Sequence, residues 1–257
     1  PAQSRDSITL YGTLDTVQVI RQRIQHANEA NAGARVTHIS PAVLQANKTR
    51  SLAELLTDHT SIYIKSLGTG ALSTASFRGT SASQTRVNWN GINITPPLSG
   101  TFNFSQIPVF FTDNINLYYG SSHVKNGTGA IGGSVNLFTD TDWNRGVNGR
   151  VLAEYGSYNT YTVGGQANIS GNKSASKTRL YYQHSDNDYT YLNKVLTNIP
   201  FREKRQDAAY SQFGIMQEGY FRVSPYTRLT AVAWYQKNHR NLPQPLGVVN
   251  QIGRAHV

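Results

Sequence analysis

The segment Asn126 to Thr139 reads NGTGAIGGSVNLFT and holds the spacing Gly127-x-Gly129-x-x-Gly132. In a dinucleotide-binding fold that spacing lays a pyrophosphate on a helix N-terminus. It requires a strand before it, a helix after it and an acid ~20 residues on. Ile115 to Tyr119 supplies a strand pattern, and Glu154 stands at a suitable distance. The residues after the glycines, Ser134 to Thr139, alternate at period two, and DTDWNRGVNG follows with no helical apolar stripe. Without a helix there is no row of free amides to hold phosphate. The cofactor reading fails. Gly129, Gly132 and Gly133 are expected instead to let two backbones approach closely between strands.

Other candidate chemistry is thin. The seven histidines form no H-x-x-x-H pair and do not cluster with acids at zinc spacing. His184-Ser185-Asp186-Asn187-Asp188 offers oxygen ligands but lacks the glycine and terminal glutamate of an EF-hand, so it reads as a solvated loop. Gly79-Thr80-Ser81-Ala82-Ser83 misses the last glycine of a nucleophile elbow. No catalytic residue, metal site or cofactor is expected, and the chain does not read as an enzyme. There is no cysteine, hence no disulfide framework. The net charge of +10 raises nucleic acid as a partner, but the basic residues are scattered singly and the densest group, Arg202 to Arg205 within FREKR (201–205), has Glu203 inside it. With no docking motif, no nucleic-acid partner is expected.

The elements around these residues follow two grammars. Ser40-Pro41 is an N-cap serine with proline at the first helical position. Ser51-Leu52-Ala53-Glu54 is a capping box that opens a helix with Leu52, Leu55 and Leu56 on one face. Ser61 to Lys65 alternates as a strand, and glycines cluster from Gly68 onward, which predicts a compact α+β first part. From about Gly149 the pattern is strand throughout. Thr160 to Ser170 puts Tyr161, Val163, Gly165, Ala167 and Ile169 on one face and polar residues on the other. Ser211 to Val223 and Thr227 to Tyr235 repeat this, and Val151 to Tyr158 and Thr178 to Tyr189 are poorer examples. The runs exceed the ~5–6 residues of an ordinary strand and fit the ~9–11 needed to cross a bilayer at a tilt. Eleven of the fifteen tyrosines follow residue 148, and Tyr155, Tyr158, Tyr189 and Tyr191 near strand ends suit a membrane interface. The bland alternative is a soluble antiparallel sandwich. No apolar run approaches the ~18 residues of a transmembrane helix. The opening Pro1-Ala2-Gln3 shows no signal peptide and reads as a mature or clipped N-terminus.

Residues 40 to 139 resemble the plug domain of a TonB-dependent outer-membrane transporter, through motifs in the family's order: SLAELL, SIYIKSLGTG, ASFRG, RVNWNGINI, INLYYGSS and GTGAIGGSVNLFT. The resemblance implies an N-terminal segment (1–24), a plug domain (25–142) and the first antiparallel strands of a transmembrane β-barrel (143–251). The fold class is thus an α+β plug followed by strands of an incomplete barrel. It implies the outer membrane of a Gram-negative bacterium, lipid around the strands, and active uptake of a scarce nutrient of siderophore, cobalamin, haem or glycan class. The alternative is a surface receptor or adhesin that binds without transport.

Site residues follow from the same likeness. Asp15, Thr16, Val17, Gln18 and Val19 are similar to the TonB box, which pairs as a strand with the periplasmic energy-coupling protein TonB; the bland reading is a first plug strand. Leu67, Thr69 and Leu72, with Pro97, Leu98 and Phe102, would sit on apical plug turns that contact an extracellular small-molecule or metal-chelate ligand, or would be structural. Arg78 matches the first of two plug arginines that contact the barrel electrostatically, whereas Tyr119 stands where the second is usual. Gly79 and Gly120 close turns, and Asn90-Gly91 replaces an Asp-Gly turn with the same geometry. Such barrels close with about 22 strands, and about five are legible here, too few to satisfy every strand edge in lipid. The chain therefore reads as a fragment, with 252–257, IGRAHV, resembling a translated sequencing adapter.

Overall fold

The computed structural model describes residues 35–120, 130–194 and 200–243. The first part is a mixed five-stranded sheet in the order β1 (Arg35–His38), β6 (Asn114–Tyr119), β7 (Gly133–Phe138), β4 (Thr85–Trp89), β5 (Ile92–Asn93). Only β4 and β7 run parallel; the other neighbours are antiparallel. Two helices pack on it, α1 (Pro41–Ala46) and α2 (Leu52–His59), together with the separate hairpin β2 (Tyr63–Ser66) and β3 (Ser73–Ser76).

Local chemistry places these elements. Ser40 caps α1, accepting the Val43 amide, with Pro41 in the first turn. The Ser51 hydroxyl accepts from the Glu54 amide, and the Glu54 carboxylate accepts from the Ser51 amide, so both ends of the capping box are made. Leu52, Leu55 and Leu56 are fully buried and join Phe77, Val87, Phe104, Phe110, Phe111, Ile115, Leu117, Val135 and Leu137 in one core. Each such side chain stabilises the fold by ~1.5–3 kcal/mol over leaving it exposed. Asn90 (φ +50°) and Gly91 (φ +85°) close the β4–β5 hairpin with both central residues left-handed.

The Gly-rich segment runs into strand β7 and not into a helix, for a steric reason. Gly133 lies so close to β6 that a Cβ there would stand 2.5 Å from the Tyr118 carbonyl oxygen and 2.8 Å from the Phe77 ring. Gly132 faces Thr80 just as tightly, and its amide donates to the Gln84 carbonyl at 3.1 Å. Gly129 lies outside the described residues. Because a backbone oxygen cannot step aside, Gly133→Ala is expected to lower stability by about 1–3 kcal/mol, read as an earlier denaturant midpoint for the purified protein. An unchanged midpoint would refute the close approach.

The second part is an antiparallel sheet of long strands, in the order β14 (Arg228–Arg240), β13 (Tyr210–Arg222), β10 (Ser174–Ser185), β9 (Thr160–Ser170), β8 (Gly146–Gly156), and between β10 and β13 the short strands β11 (Thr190–Asn193) and β12 (Phe201–Lys204) pair with each other. The long strands have 11 to 13 residues. The register puts Val151, Gly165, Leu180, Ile215 and Tyr235 in one row on the face turned away from the plug. That face carries Val147, Val163, Ile169, Phe213, Phe221 and Leu229, all exposed. The opposite face carries Gln166, Asn168, Lys177, Arg179, Gln183, Gln212 and Glu218, and it covers the plug. Apolar outside and polar inside is the barrel pattern, and a soluble sandwich would bury the apolar face. Tyr155, Tyr161, Tyr182 and Tyr235 lie on the outer face toward one end, with the Tyr161 and Tyr182 rings 5.9 Å apart. Among the described residues, no helix is long and apolar enough to cross a membrane.

Candidate functional site

Two loci join the plug to the strands. The first is a buried charge cluster. Asp113 follows the 3₁₀ turn Val109–Phe111, and its amide is fixed by the Phe138 carbonyl at 2.8 Å. Its carboxylate meets two cations from β10, Arg179 at 2.5 Å and Lys177 at 3.1 Å. Arg179 is wholly buried. It also donates to the Phe110 carbonyl at 3.0 Å and pairs with buried Glu218 of β13 at 3.3 Å, whose other oxygen accepts the Tyr220 hydroxyl. Lys48, from the α1–α2 connection, donates to the Thr112 carbonyl at 2.5 Å.

The cluster sets its own protonation. Burial alone would raise the Asp113 carboxyl, but Arg179, then Lys177, the Asp140 amide and Lys48 outweigh it and hold it below the ordinary value. Burial pulls Lys48 down to about 8 against the attraction of Asp113. Around the cluster the strands reach the plug with two more arginines, Arg228 pairing with Asp140 at 3.2 Å and Arg150 donating to the Gln45 side-chain oxygen at 2.5 Å, and with uncharged groups. Tyr181 donates to the Thr49 carbonyl at 2.9 Å, Gln212 to the Gln106 carbonyl at 2.5 Å, and Trp234 packs on Trp89 with centroids 5.1 Å apart.

Arg78 does not make the expected electrostatic contact: among the described residues it forms no ion pair. With φ +48° at Arg78 and +77° at Gly79, the turn leaves the side chain exposed, its guanidinium 5.9 Å from the Tyr119 ring centroid. Arg35 approaches the same ring at 5.1 Å. The aromatic that replaces the second arginine thus takes up the first. In the buried cluster among the described residues, the plug supplies the acid Asp113 and the strands supply Lys177 and Arg179. Lys177 and Arg179, two apart on a polar strand face, were the available sequence signal; Asp113 carried none.

The second locus is a pair of adjoining cavities of about 550 and 430 Å³ at the end of the sheet where β10 and β13 are joined by a long excursion. They share Arg50, Glu54, Thr69, Gln183 and Tyr210. Thr69 therefore lines both. Leu67 and Leu72 flank it, exposed on the same turn, and a Cβ on Gly70 would meet the Tyr210 ring at 2.6 Å, so this turn is seated on β13. Pro97 and Leu98 line neither cavity, with Leu98 fully exposed, and Phe102 packs edge-on against Phe104. Gly120 turns the chain after β6 with φ +90°. Asp15 to Val19 and 252–257 lie outside the described residues.

Three tyrosines expected at the membrane interface are elsewhere. Tyr158 in the β8–β9 turn, and Tyr189 and Tyr191 in the excursion between β10 and β13, form an edge-to-face series with centroids 6.2 and 6.4 Å apart, and the first two line the smaller cavity. Tyr158 and Asn159 close the β8–β9 hairpin at φ +59° and +52°. A bulky residue at positive φ costs ~1–3 kcal/mol. The loop acids are engaged locally: hydrogen bonds from Asn159 and His184 hold the Asp186 carboxyl below its ordinary value, and Asp188 pairs with Lys204 at 2.9 Å. Among the described residues no group of three or more His, Asp or Glu is placed to hold a metal.

A Gly-rich, mixed-sheet plug bonded to the polar face of long antiparallel strands has a counterpart among known proteins. Residues 28–134 match the profile of the TonB-dependent Receptor Plug Domain. The chain carries a TonB-dependent receptor plug. Receptors of this family are outer-membrane proteins of Gram-negative bacteria, which locates the chain, and they are transporters and receptors rather than enzymes. The chain is 31% identical over 135 residues to the vitamin B12 transporter BtuB of Photobacterium profundum, covering 52% of this chain and 22% of that protein. Solved receptors share the fold. The copper transporter OprC superposes with a TM-score of 0.61 at 15% identity, over 81% of this chain and 31% of that one. The pyoverdine outer membrane receptor FpvA of Pseudomonas aeruginosa PAO1 gives 0.62 at 15%, over 79% and 27%. The chain spans about a fifth of the length of the curated relatives it matches.

Proposed function

We propose that this receptor actively imports a scarce extracellular nutrient, with TonB drawing on the N-terminal segment to rearrange the plug. The observation that carries the reading is the plug's attachment. It is held against the polar strand face by a few hydrogen bonds, one compact buried charge cluster and the exposed Arg228–Asp140 pair, an arrangement a pull can release. Short turns at 171–173 and 223–227 mark the periplasmic end, and the excursion at 186–209 the extracellular one. The cavities beside Thr69 then open outward, where a ligand arrives. Thr69, with Leu67 and Leu72 beside it, offers ligand contact, while Pro97, Leu98 and Phe102 remain candidates that other parts of the ligand would reach. Energy comes from the inner-membrane proton gradient, so no nucleotide site is required. The relatives' names span vitamin B12, copper and pyoverdine.

The test uses the full-length receptor in an outer membrane, with uptake and surface binding followed separately. Import is expected to stop when the proton gradient is dissipated or TonB is deleted, with surface binding retained. Uptake that persists would remove TonB from the mechanism. Binding that never leads to internalisation would favour the adhesin reading.

A further inference from the structure

We infer that the ligand admitted by the outward cavities is uncharged, rich in hydroxyl or amide groups, and has an apolar face; polyanionic metal chelates are disfavoured. This inference rests on the receptor reading above and narrows it. The chain carries a net +10, yet among the described residues the two cavities together are lined by two arginines, Arg50 and Arg240, against three carboxylates, Glu54, Asp58 and Glu154, with His239 beside them and no lysine. One arginine is already taken, since Arg50 pairs with Asp58 at 2.6 Å. Glu54 is held in its capping box at the N-terminus of α2. Glu154 projects from the inner face of β8, exposed and without an ion pair among the described residues.

A polyanion would need several converging guanidinium or ammonium groups, and it meets an acid-biased wall instead. The remaining lining is uncharged and hydrogen-bonding, including Ser66, Asn103, Gln106, Gln183 and Asn238. At the mouth stand the Tyr158 and Tyr189 rings, half exposed and 6.2 Å apart, the first kept at a backbone angle that disfavours tyrosine. Flat apolar surface at the rim above an amide, hydroxyl and carboxylate floor suits a ligand with a C–H or ring face and many neutral donors. A corrinoid and an oligosaccharide share that chemistry.

Purified full-length receptor would be titrated with cyanocobalamin, with an array of neutral oligosaccharides and with a ferric triscatecholate. One of the two uncharged probes is expected to bind with an affinity unaltered between low and high salt, and Tyr158→Ala and Glu154→Gln are each expected to weaken it tenfold or more. Both side chains are exposed, so the variants should melt with the parent protein. Salt-sensitive binding of the triscatecholate, failure of both uncharged probes, or uncharged binding indifferent to both substitutions would overturn the inference. The readout needs no TonB. A triscatecholate imported under TonB control would sink this inference and leave the transport reading standing, whereas a bound cobalamin that is never imported would do the reverse.

Discussion

Asp113→Asn is expected to loosen the plug from the strands at a cost of about 3–5 kcal/mol, the usual penalty for removing one partner of a buried ion pair. The size follows from what remains. Lys48, Lys177 and Arg179 would face one another with Glu218 as their anion, and Glu218 contacts Arg179 alone among them. Asparagine keeps the volume and one acceptor for the Asp140 amide, so the loss is electrostatic rather than a cavity. The measurement is the unfolding midpoint of the full-length receptor, with protease cleavage of the plug as a second readout. Because the repulsion arises among cations, adding Lys48→Met to Asp113→Asn should cost less than the two single effects together. Strict additivity, or a loss below about 1 kcal/mol, the value of an exposed pair, would remove the cluster from its role as the plug's anchor.

The same cluster fixes the direction of two pH effects. Asp113 has a folded value below its unfolded one, so its contribution is complete above the ordinary aspartate range near ~3.9 and is lost as pH falls through the lowered value. Lys48 runs the other way. Its folded value of about 8 lies below the ordinary lysine value of 10.5, so charging it opposes folding fully below 8. That penalty fades as pH rises from 8 toward 10.5, and stability climbs across the window.

How far the sequence reached depended on the range of the interaction. The Ser51 to Glu54 capping box and the Asn90-Gly91 turn are decided within four residues, and both formed as read. Strand β9 covers the residues whose alternation marked it, because a strand with lipid on one face and plug on the other cannot slip by one residue without inverting both. The glycine segment was readable as strand for a similar reason: period two after the glycines excluded a helix. Asp113 was not readable. Its partners lie 64 and 66 positions away, and nothing near it distinguishes it from a solvated acid. Arg78 shows the converse, a local motif that points to a distant partner on the barrel wall, while among the described residues its guanidinium lies over Tyr119. Glu154, first met as a candidate dinucleotide acid, faces the cavity because even-numbered residues of β8 point inward, a parity that pairing with β9 sets. The tyrosine series was hidden by the β10–β13 excursion, which lifts Tyr189 and Tyr191 out of the membrane-facing register.

Proline at position 17 is expected to reduce uptake to that of cells lacking TonB while leaving ligand binding by the full-length receptor within about twofold of the parent. Asp15 to Val19 is proposed to add as a strand to TonB, a mode in which affinity comes from main-chain hydrogen bonds. Proline removes an amide donor and fixes φ, so one substitution deletes a ladder bond and obstructs its neighbours. Val17→Ala keeps both main-chain groups and should import almost normally, which separates strand pairing from side-chain recognition. The geometry permits a sharper form of the test. In an added edge strand only alternate residues turn their amides toward the partner, and proline is tolerated at the others. A proline scan from 15 to 19 should therefore give a period-two response, with Asp15, Val17 and Val19 sensitive and Thr16 and Gln18 tolerant. A mere tether would respond evenly or not at all, and uptake unchanged at all five positions would discard the assignment.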